Sequence, residues 1–281
     1  MCDIDAPTTR KKSVMEMELF EKILRDLAPY RETIEVLDLF GLGEPLLDPK
    51  ICGRIRLAKE AGFKNVGIST NADILNDYRR LRLLRSGVDT VIISIDGATK
   101  ETHEAIRRGS RFDRTVSNTI ALIDARSQMG LAMKIIVRFI RQDLNRDEWP
   151  AFKKFWDKYI DRTRKDTIGV YDVHAQGPAI SKKDALKASD NEMDEKLELE
   201  SCPLIQSTLY ILADGCVVPC SQDWLCGRHT FGTTKEESAI DIFNSPKFSE
   251  FREIHNTGLK NTIAMCAGCT IAYSDARKEY A

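Results

Sequence analysis

The feature that most constrains this chain is a repeated unit, an apolar run rich in β-branched residues followed by an amphipathic helical stretch. The runs are IEVLDLFGLGEP from Ile34 to Pro45, then Asn65 to Ser69, Thr90 to Ile95, Lys134 to Ile140 and Thr167 to Val173. Strands alternating with helices imply right-handed βαβ crossovers and a parallel α/β sheet, either doubly wound or curled into a barrel. Polar residues collect where the runs stop: Gly41, Gly43 and Glu44, then Ser69-Thr70-Asn71, Ser94-Ile95-Asp96-Gly97, Arg141-Gln142-Asp143, and His174. Parallel α/β folds bind ligands at that edge of the sheet, so the five endings read together as one site. In the first, Gly41 and Gly43 admit a ligand to bare backbone, and Glu44 is an acceptor-only carboxylate suited to a cation such as an α-amino group. The plainer reading of GLGEP, a strand ending in an acidic turn, loses ground because the pattern repeats.

Local signals place the helices between the runs. Ser13 and Glu16 have capping-box spacing, and Leu19, Phe20, Ile23, Leu24 and Leu27 follow on one apolar face. Asp48 and Pro49 mark a helix start, Gly62 and Gly87 mark helix ends, and the proline of Trp149-Pro150 belongs in a first turn. Residues 176–201 are rich in Lys, Asp and Glu and poor in large apolar side chains, which suits a linker. Beyond them, apolar segments flank the turn pair Asp214-Gly215 as in a hairpin, and helices are expected near Ile240 to Asn244 and from Pro246 to Asn256. The expected division is a barrel-type domain over 1–175, a linker over 176–201 and a small unit over 202–281.

Charge and cysteine usage narrow the function classes. Forty-two basic side chains nearly cancel 43 acidic ones, so no nucleic-acid or anionic-membrane footprint is expected. No apolar run is long enough for a membrane span and the first dozen residues lack a signal-peptide core, so a cytoplasmic protein is expected. In a reducing compartment, eight cysteines read as metal ligands or small buried hydrophobes rather than disulfides. Cys202 and Cys220 bracket the hairpin, and Cys266 and Cys269 form a C-x-x-C pair. Four such thiolates can close a tetrahedral site, whose occupant is either zinc or a 4Fe-4S cluster. Cys52, Cys216 and Cys226 fit no ligand spacing and read as small hydrophobes.

Taken in order, GLGEP, STN, SIDG with ETHEAIRRG, CP, LYILADGCVVPC, IFNSPKFSEFREIH and C-x-x-C give the chain a resemblance to radical S-adenosylmethionine (SAM) enzymes with a C-terminal auxiliary-cluster domain of the SPASM or shorter twitch type. The resemblance covers essentially the whole chain. It implies a partial (β/α)6 barrel without its first strand, followed by a hairpin-helix iron-sulfur domain. It implies that Gly41 to Glu44 hold the SAM amino group, that Ser94 and Asp96 lie near its ribose and methionine, that Asn71 adjoins them, and that Arg107 pairs with its carboxylate. A planar guanidinium meets a carboxylate with two hydrogen bonds. Asp275 stands where the longer SPASM form has a further cysteine, so the resemblance implies the twitch form, with one auxiliary 4Fe-4S cluster on Cys202, Cys220, Cys266 and Cys269. The cysteine arrangement disfavours the molybdenum-cofactor GTP cyclase.

The family holds its SAM-cleaving 4Fe-4S cluster on C-x-x-x-C-x-x-C, and Met1-Cys2-Asp3 looks like the tail of that motif. Cys2 is then one of three ligands, and this chain alone is expected to be inactive, as a fragment or as a degenerate homologue. In an intact enzyme the resemblance implies a 5'-deoxyadenosyl radical that abstracts a substrate hydrogen, with electrons from flavodoxin or ferredoxin. The leading expectation is two-electron oxidation of an alcohol carbon on a small polyol or sugar-like molecule, with Arg138, Tyr171, Asp172 and His174 as candidate substrate contacts. Peptide modification is the first alternative, and a non-catalytic homologue with a structural zinc site is the second.

Overall fold

In a computed structural model, the structure describes residues 13–41, 43–173, 201–221, 223, 229–267 and 269. They fall into two compact units, one of the described residues between 30 and 172 and the other of residues 13–29 with those described from 173 onward. Among the described residues no helix is long and apolar enough to cross a membrane.

The first unit is a five-stranded parallel sheet of β1 (Leu37–Asp38), β2 (Val66–Thr70), β3 (Thr90–Ser94), β4 (Lys134–Arg141) and β5 (Thr167–Asp172), in the order β1-β2-β3-β4-β5. Each strand pairs with the next in sequence, so right-handed crossovers all turn the same way and put the helices on one face. That decides between the two architectures in favour of the barrel type, because a doubly wound sheet reverses strand order at a switch point. The helices are α2 (Ile51–Glu60), α3 (Asp77–Leu84), α4 (Lys100–Ile106), α5 (Phe112–Gln128) and α6 (Trp149–Trp156).

Register separates the two faces. Val91, Ile93, Ile135, Val137 and Phe139 point to the helix side and are fully buried, with the Phe139 ring 4.7 Å from that of Phe152 and 5.7 Å from that of Trp149. The opposite face carries Gly67, Ser69, Ser94, Arg138, Gly169 and Tyr171, which register and strand alternation place on one side. The helix side is mainly apolar, whereas the second face, the interior in which a ligand is met, mixes these small and polar groups with Ile92, Ile136 and Ile140.

Three sequence expectations need correction at their edges. The strand expected to open at Ile34 is confined to Leu37–Asp38, since β1 stands at the edge of the sheet and pairs only with β2. The first helix, α1, spans Met17–Leu27 with Glu16 at its N-cap and no side-chain cap, so Ser13 does not form the capping box. Asp48 likewise stands before the helix it was expected to cap; its Oδ1 accepts from Lys50 N at 2.8 Å and its Oδ2 pairs with Arg54 Nε at 2.7 Å.

The second unit holds an antiparallel sheet of β6 (Tyr210–Ile211), β7 (Cys216–Val218) and β8 (Gly232–Thr233). Gly215, at φ +90°, turns the expected hairpin between the first two. Helices α7 (Pro203–Ser207), α8 (Ala239–Phe243) and α9 (Pro246–Asn256) pack Ile205, Val217, Phe231, Ile242, Phe248 and Phe251 into one core. The Arg252 guanidinium lies over the adjacent Phe243 and Phe248 rings at 4.1 and 4.2 Å, a pair of cation-π contacts. Helix α1 also belongs here, with Lys22 Nζ donating to the Glu237 carbonyl at 3.0 Å and Asp26 Oδ2 accepting from Ala239 N at 3.4 Å.

Candidate cofactor sites at the strand ends and the cysteine pocket

Glu44 is fixed by the end of the neighbouring strand. Its Oε1 accepts from Leu46 N at 3.0 Å and Thr70 Oγ1 at 2.6 Å, and its Oε2 from Asn71 N at 2.8 Å. A carboxylate has about four acceptor positions, so roughly one remains for a cation. Gly43 adopts φ +97°, which an L side chain rarely takes, and so gives the turn that brings Glu44 beside β2. Asn71 contributes its backbone to this cradle while its own Oδ1 caps Asp73 N at 2.9 Å. Ala72 follows at φ +57°, a strained value for a residue with a side chain, held by Asn118 Nδ2 donating to its carbonyl at 2.8 Å.

On the interior face, Arg138 Nη2 donates to Ser69 Oγ at 3.0 Å and to Ser94 Oγ at 2.8 Å, tying β4 to β2 and β3. Arg138 Nε is buried without a hydrogen-bond partner. Ser94 thus serves as an acceptor in this triad.

Asp96 is fully buried, its Oδ2 accepting from Arg107 Nε at 2.7 Å and its Oδ1 from Ile140 N at 2.7 Å. Its carboxylate thus anchors Arg107 and the end of β4. Asp96 engages Nε of Arg107, which leaves the two Nη groups with donors for a ligand carboxylate. Asn145, also fully buried, donates from Nδ2 to the carbonyls of Asp96 and Ile140 at 3.1 and 2.9 Å, and Glu148 accepts from Ala98 N at 2.6 Å. Sequence reasoning missed Asn145, Glu148 and His103; Asn145 and Glu148 bond Asp96 and Ala98, 49 and 50 positions away, and the partners of His103, seven residues to either side, match no contact spacing of a helix or strand.

The substrate candidates divide by face. Arg138 and Tyr171 share the interior side, whereas Asp172 pairs bidentately with Arg141 at 2.6 and 3.0 Å on the helix side with Phe139. Consecutive strand residues point to opposite faces, so Tyr171 and Asp172 are not brought together. His174 and Cys2 lie outside the described residues.

In the second unit, Cys202, Cys220, Cys266 and Cys269 line one pocket with Ile205, Phe251 and His255. None of the four cysteines is in a disulfide. The Cys266 thiol is pushed strongly up, first by burial and then by Cys220, Cys269 and Cys202. Thiolates that oppose one another's ionisation in a dry pocket are a donor set for a cationic group, which reverses the penalty. Among the described residues no three of His, Cys, Asp or Glu converge at single-ion distance. A zinc ion draws its sulfurs to about 2.3 Å from one point, while a cubane gives each thiolate its own iron. Four thiols lining one pocket are a donor set that suits an iron-sulfur cluster or a zinc ion.

Comparisons with known proteins match segments of both units. A family model described as the radical SAM superfamily matches residues 1–134, and one described as SPASM, an iron-sulfur cluster-binding domain, matches residues 202–270. A tungsten-containing aldehyde ferredoxin oxidoreductase cofactor-modifying protein of Pyrococcus furiosus is 25% identical over 286 residues, covering 90% of this chain and 79% of that protein. A GTP 3',8-cyclase of Chlorobaculum tepidum is 32% identical over 172 residues, 60% of this chain and 49% of the enzyme, so the chain spans about half of that relative. Among solved structures, BtrN in complex with AdoMet and 2-DOIA is similar at TM-score 0.58 and 16% identity, over 93% of this chain and 82% of that one. Streptococcus suis SuiB bound to S-adenosylmethionine is similar at TM-score 0.59 and 15% identity, over 92% and 66%. At these identities the likeness to the solved structures is one of fold.

Proposed function

Because this chain belongs to the radical SAM superfamily and carries a SPASM iron-sulfur cluster-binding domain, we propose that it is an oxidoreductase that removes two electrons and two protons, a hydrogen atom from carbon and then an electron and the hydroxyl proton, from an alcohol of a small polyol or sugar-like substrate. Its cofactors are SAM, a 4Fe-4S cluster and auxiliary iron-sulfur chemistry. When bound and reduced, SAM supplies a 5'-deoxyadenosyl radical able to abstract a substrate hydrogen. We assign the SAM amino group to Glu44, its carboxylate to the Nη groups of Arg107, and its neighbourhood to Gly41, Gly43, Asn71 and Ser94. Asp96 acts through Arg107. Cys202, Cys220, Cys266 and Cys269 would hold a single auxiliary cluster, as in a twitch domain, and such a cluster would supply an acceptor for the second electron. Cys2 belongs to the SAM-cluster motif. A flavodoxin or ferredoxin of the cytoplasm is the reductant.

The observation that carries the substrate class is the interior face itself. Ser69, Ser94, Arg138 and Tyr171 present hydroxyl and guanidinium groups where an apolar ligand would need hydrocarbon, and a compact polyhydroxylated molecule matches that donor and acceptor pattern. Asp172 and His174 remain second candidates for substrate contact. Peptide modification is the alternative, as SuiB bound to its precursor peptide SuiA shares the fold. A third reading, modification of a metal cofactor, has the name of the Pyrococcus furiosus relative in its favour.

The test is anaerobic turnover, in protein carrying the complete three-cysteine motif, with SAM, reductant and panels of polyols, precursor peptides and pterin-type cofactors. A polyol lighter by about two hydrogens alongside 5'-deoxyadenosine supports the proposal. Turnover of peptide or cofactor with polyols untouched overturns it.

A further inference from the structure

Two halves of the strand-end site are joined by a chain of hydrogen bonds that runs under the ligand edge. Asp96 N donates to His103 Nδ1 at 3.2 Å, His103 Nε2 lies 3.0 Å from Ser110 Oγ, Ser110 Oγ lies 3.5 Å from Thr115 Oγ1, and Thr115 Oγ1 donates to the Asn71 carbonyl at 3.2 Å. The two ends decide the direction of every bond between them. A backbone N–H can only donate, so Nδ1 is the bare nitrogen of a neutral imidazole and Nε2 carries the proton toward Ser110. A backbone carbonyl can only accept, so the Thr115 hydroxyl is committed to Asn71 and Ser110 donates to Thr115. His103 and Thr115 are both fully buried.

We propose that His103, Ser110 and Thr115 are positioning residues that hold the exit of β3, with Asp96 and Arg107, in fixed register with the exit of β2, with Asn71 and Glu44, and so set the spacing of the SAM site. This rests on the assignment of SAM to that edge. The surroundings are built for it. A Cβ at position 97 stands 2.6 Å from the His103 backbone nitrogen, so only glycine lets α4 approach β3 closely enough for the ring to reach Asp96 N. The His103 ring packs 5.5 Å from that of Phe112, at the start of α5, the helix that also carries Thr115. Asn71 in turn gives its own N–H to Glu44, so the chain ends one peptide from the carboxylate.

A second proton on His103 places an N–H against the Asp96 N–H and breaks the chain at its first link. Burial foremost, then Arg107, hold the His103 pKa below its ordinary 6.5, against the opposing pull of Asp96, Asp73 and Glu104. The chain is therefore whole above about pH 6.5 and is lost as pH falls through the depressed value.

Two measurements test this. Nitrogen NMR of the labelled chain at neutral pH reads the tautomer: Nδ1 bare and Nε2 protonated is expected, and the reverse overturns the directed chain. Equilibrium dialysis with SAM, on iron-loaded protein carrying the complete motif, compares wild type with Thr115→Val and Thr115→Ser between pH 5 and pH 8. Thr115→Val is expected to bind about tenfold more weakly at pH 8, the worth of one buried hydrogen bond, and Thr115→Ser to recover most of that loss. Wild-type affinity is expected to weaken toward pH 5, with Thr115→Val showing a flatter profile. Wild-type binding matched by Thr115→Val at every pH overturns the positioning role alone. No binding by wild type removes the site assignment and this proposal with it.

Discussion

A carboxylate with most of its acceptor positions filled by the protein is a rigid ligand. Glu44 meets Leu46 N, Thr70 Oγ1 and Asn71 N before any cofactor arrives. Glu44→Gln keeps one acceptor and removes the charge, so SAM affinity is expected to fall by about 10- to 100-fold with little change in unfolding temperature, read by equilibrium dialysis and calorimetry. Gly97→Ala tests packing instead, since its Cβ meets backbone 2.6 Å away; a loss of about 1–3 kcal/mol is expected in urea titration. Glu44 was legible in the sequence because it ends an apolar run in a Gly-rich turn, and local composition encodes that. Asp96 was legible as a strand-end carboxylate but not in its use. Its partners are Arg107 and the amide of Ile140, contacts that exist only once α4 and β4 have docked.

At the level of elements, strands β2 to β5 were readable because parallel strands buried on the helix side concentrate β-branched residues. β1 was readable only as a motif, since an edge strand has one neighbour to pair with and needs few residues to do so. The face of each strand residue was not legible, and it separates Asp172 from Tyr171. Breaking the half-buried Arg141–Asp172 pair with Asp172→Ala is expected to cost only about 1 kcal/mol. The fully buried Arg126–Asp166 pair behaves otherwise. Asp166 also accepts from Ile135 N at 2.8 Å and Asp161 N at 2.9 Å, so Asp166→Ala strands a buried guanidinium and two amides. A loss of about 3–5 kcal/mol is expected by the same titration.

For the whole molecule, the cysteine pocket makes a stoichiometric prediction. Anaerobic reconstitution should load about four irons and four sulfides into the second unit, lost together in Cys269→Ala; about one zinc in their place would favour a structural site. Helix α1 supplies the remaining surprise of organisation, because nothing in its amphipathic pattern says which core it will cover. Phe20 and Leu24 are buried in the second unit. Phe20→Ala is expected to cost about 3–5 kcal/mol, and hydrogen exchange should show the protection lost from residues 239–243 before 66–70.

That placement also orders events at the ribosome. Residues 30–172 pair strand with next strand, so the first unit can assemble as it emerges. The contact of Lys22 with Glu237 spans 215 positions, and at about 5–20 residues per second α1 waits some 10 to 40 s for its partner to be made. Throughout that interval an apolar helix face is without its core. Helix α1 is therefore, among the described elements, the one that most needs shelter during synthesis and the last to become native.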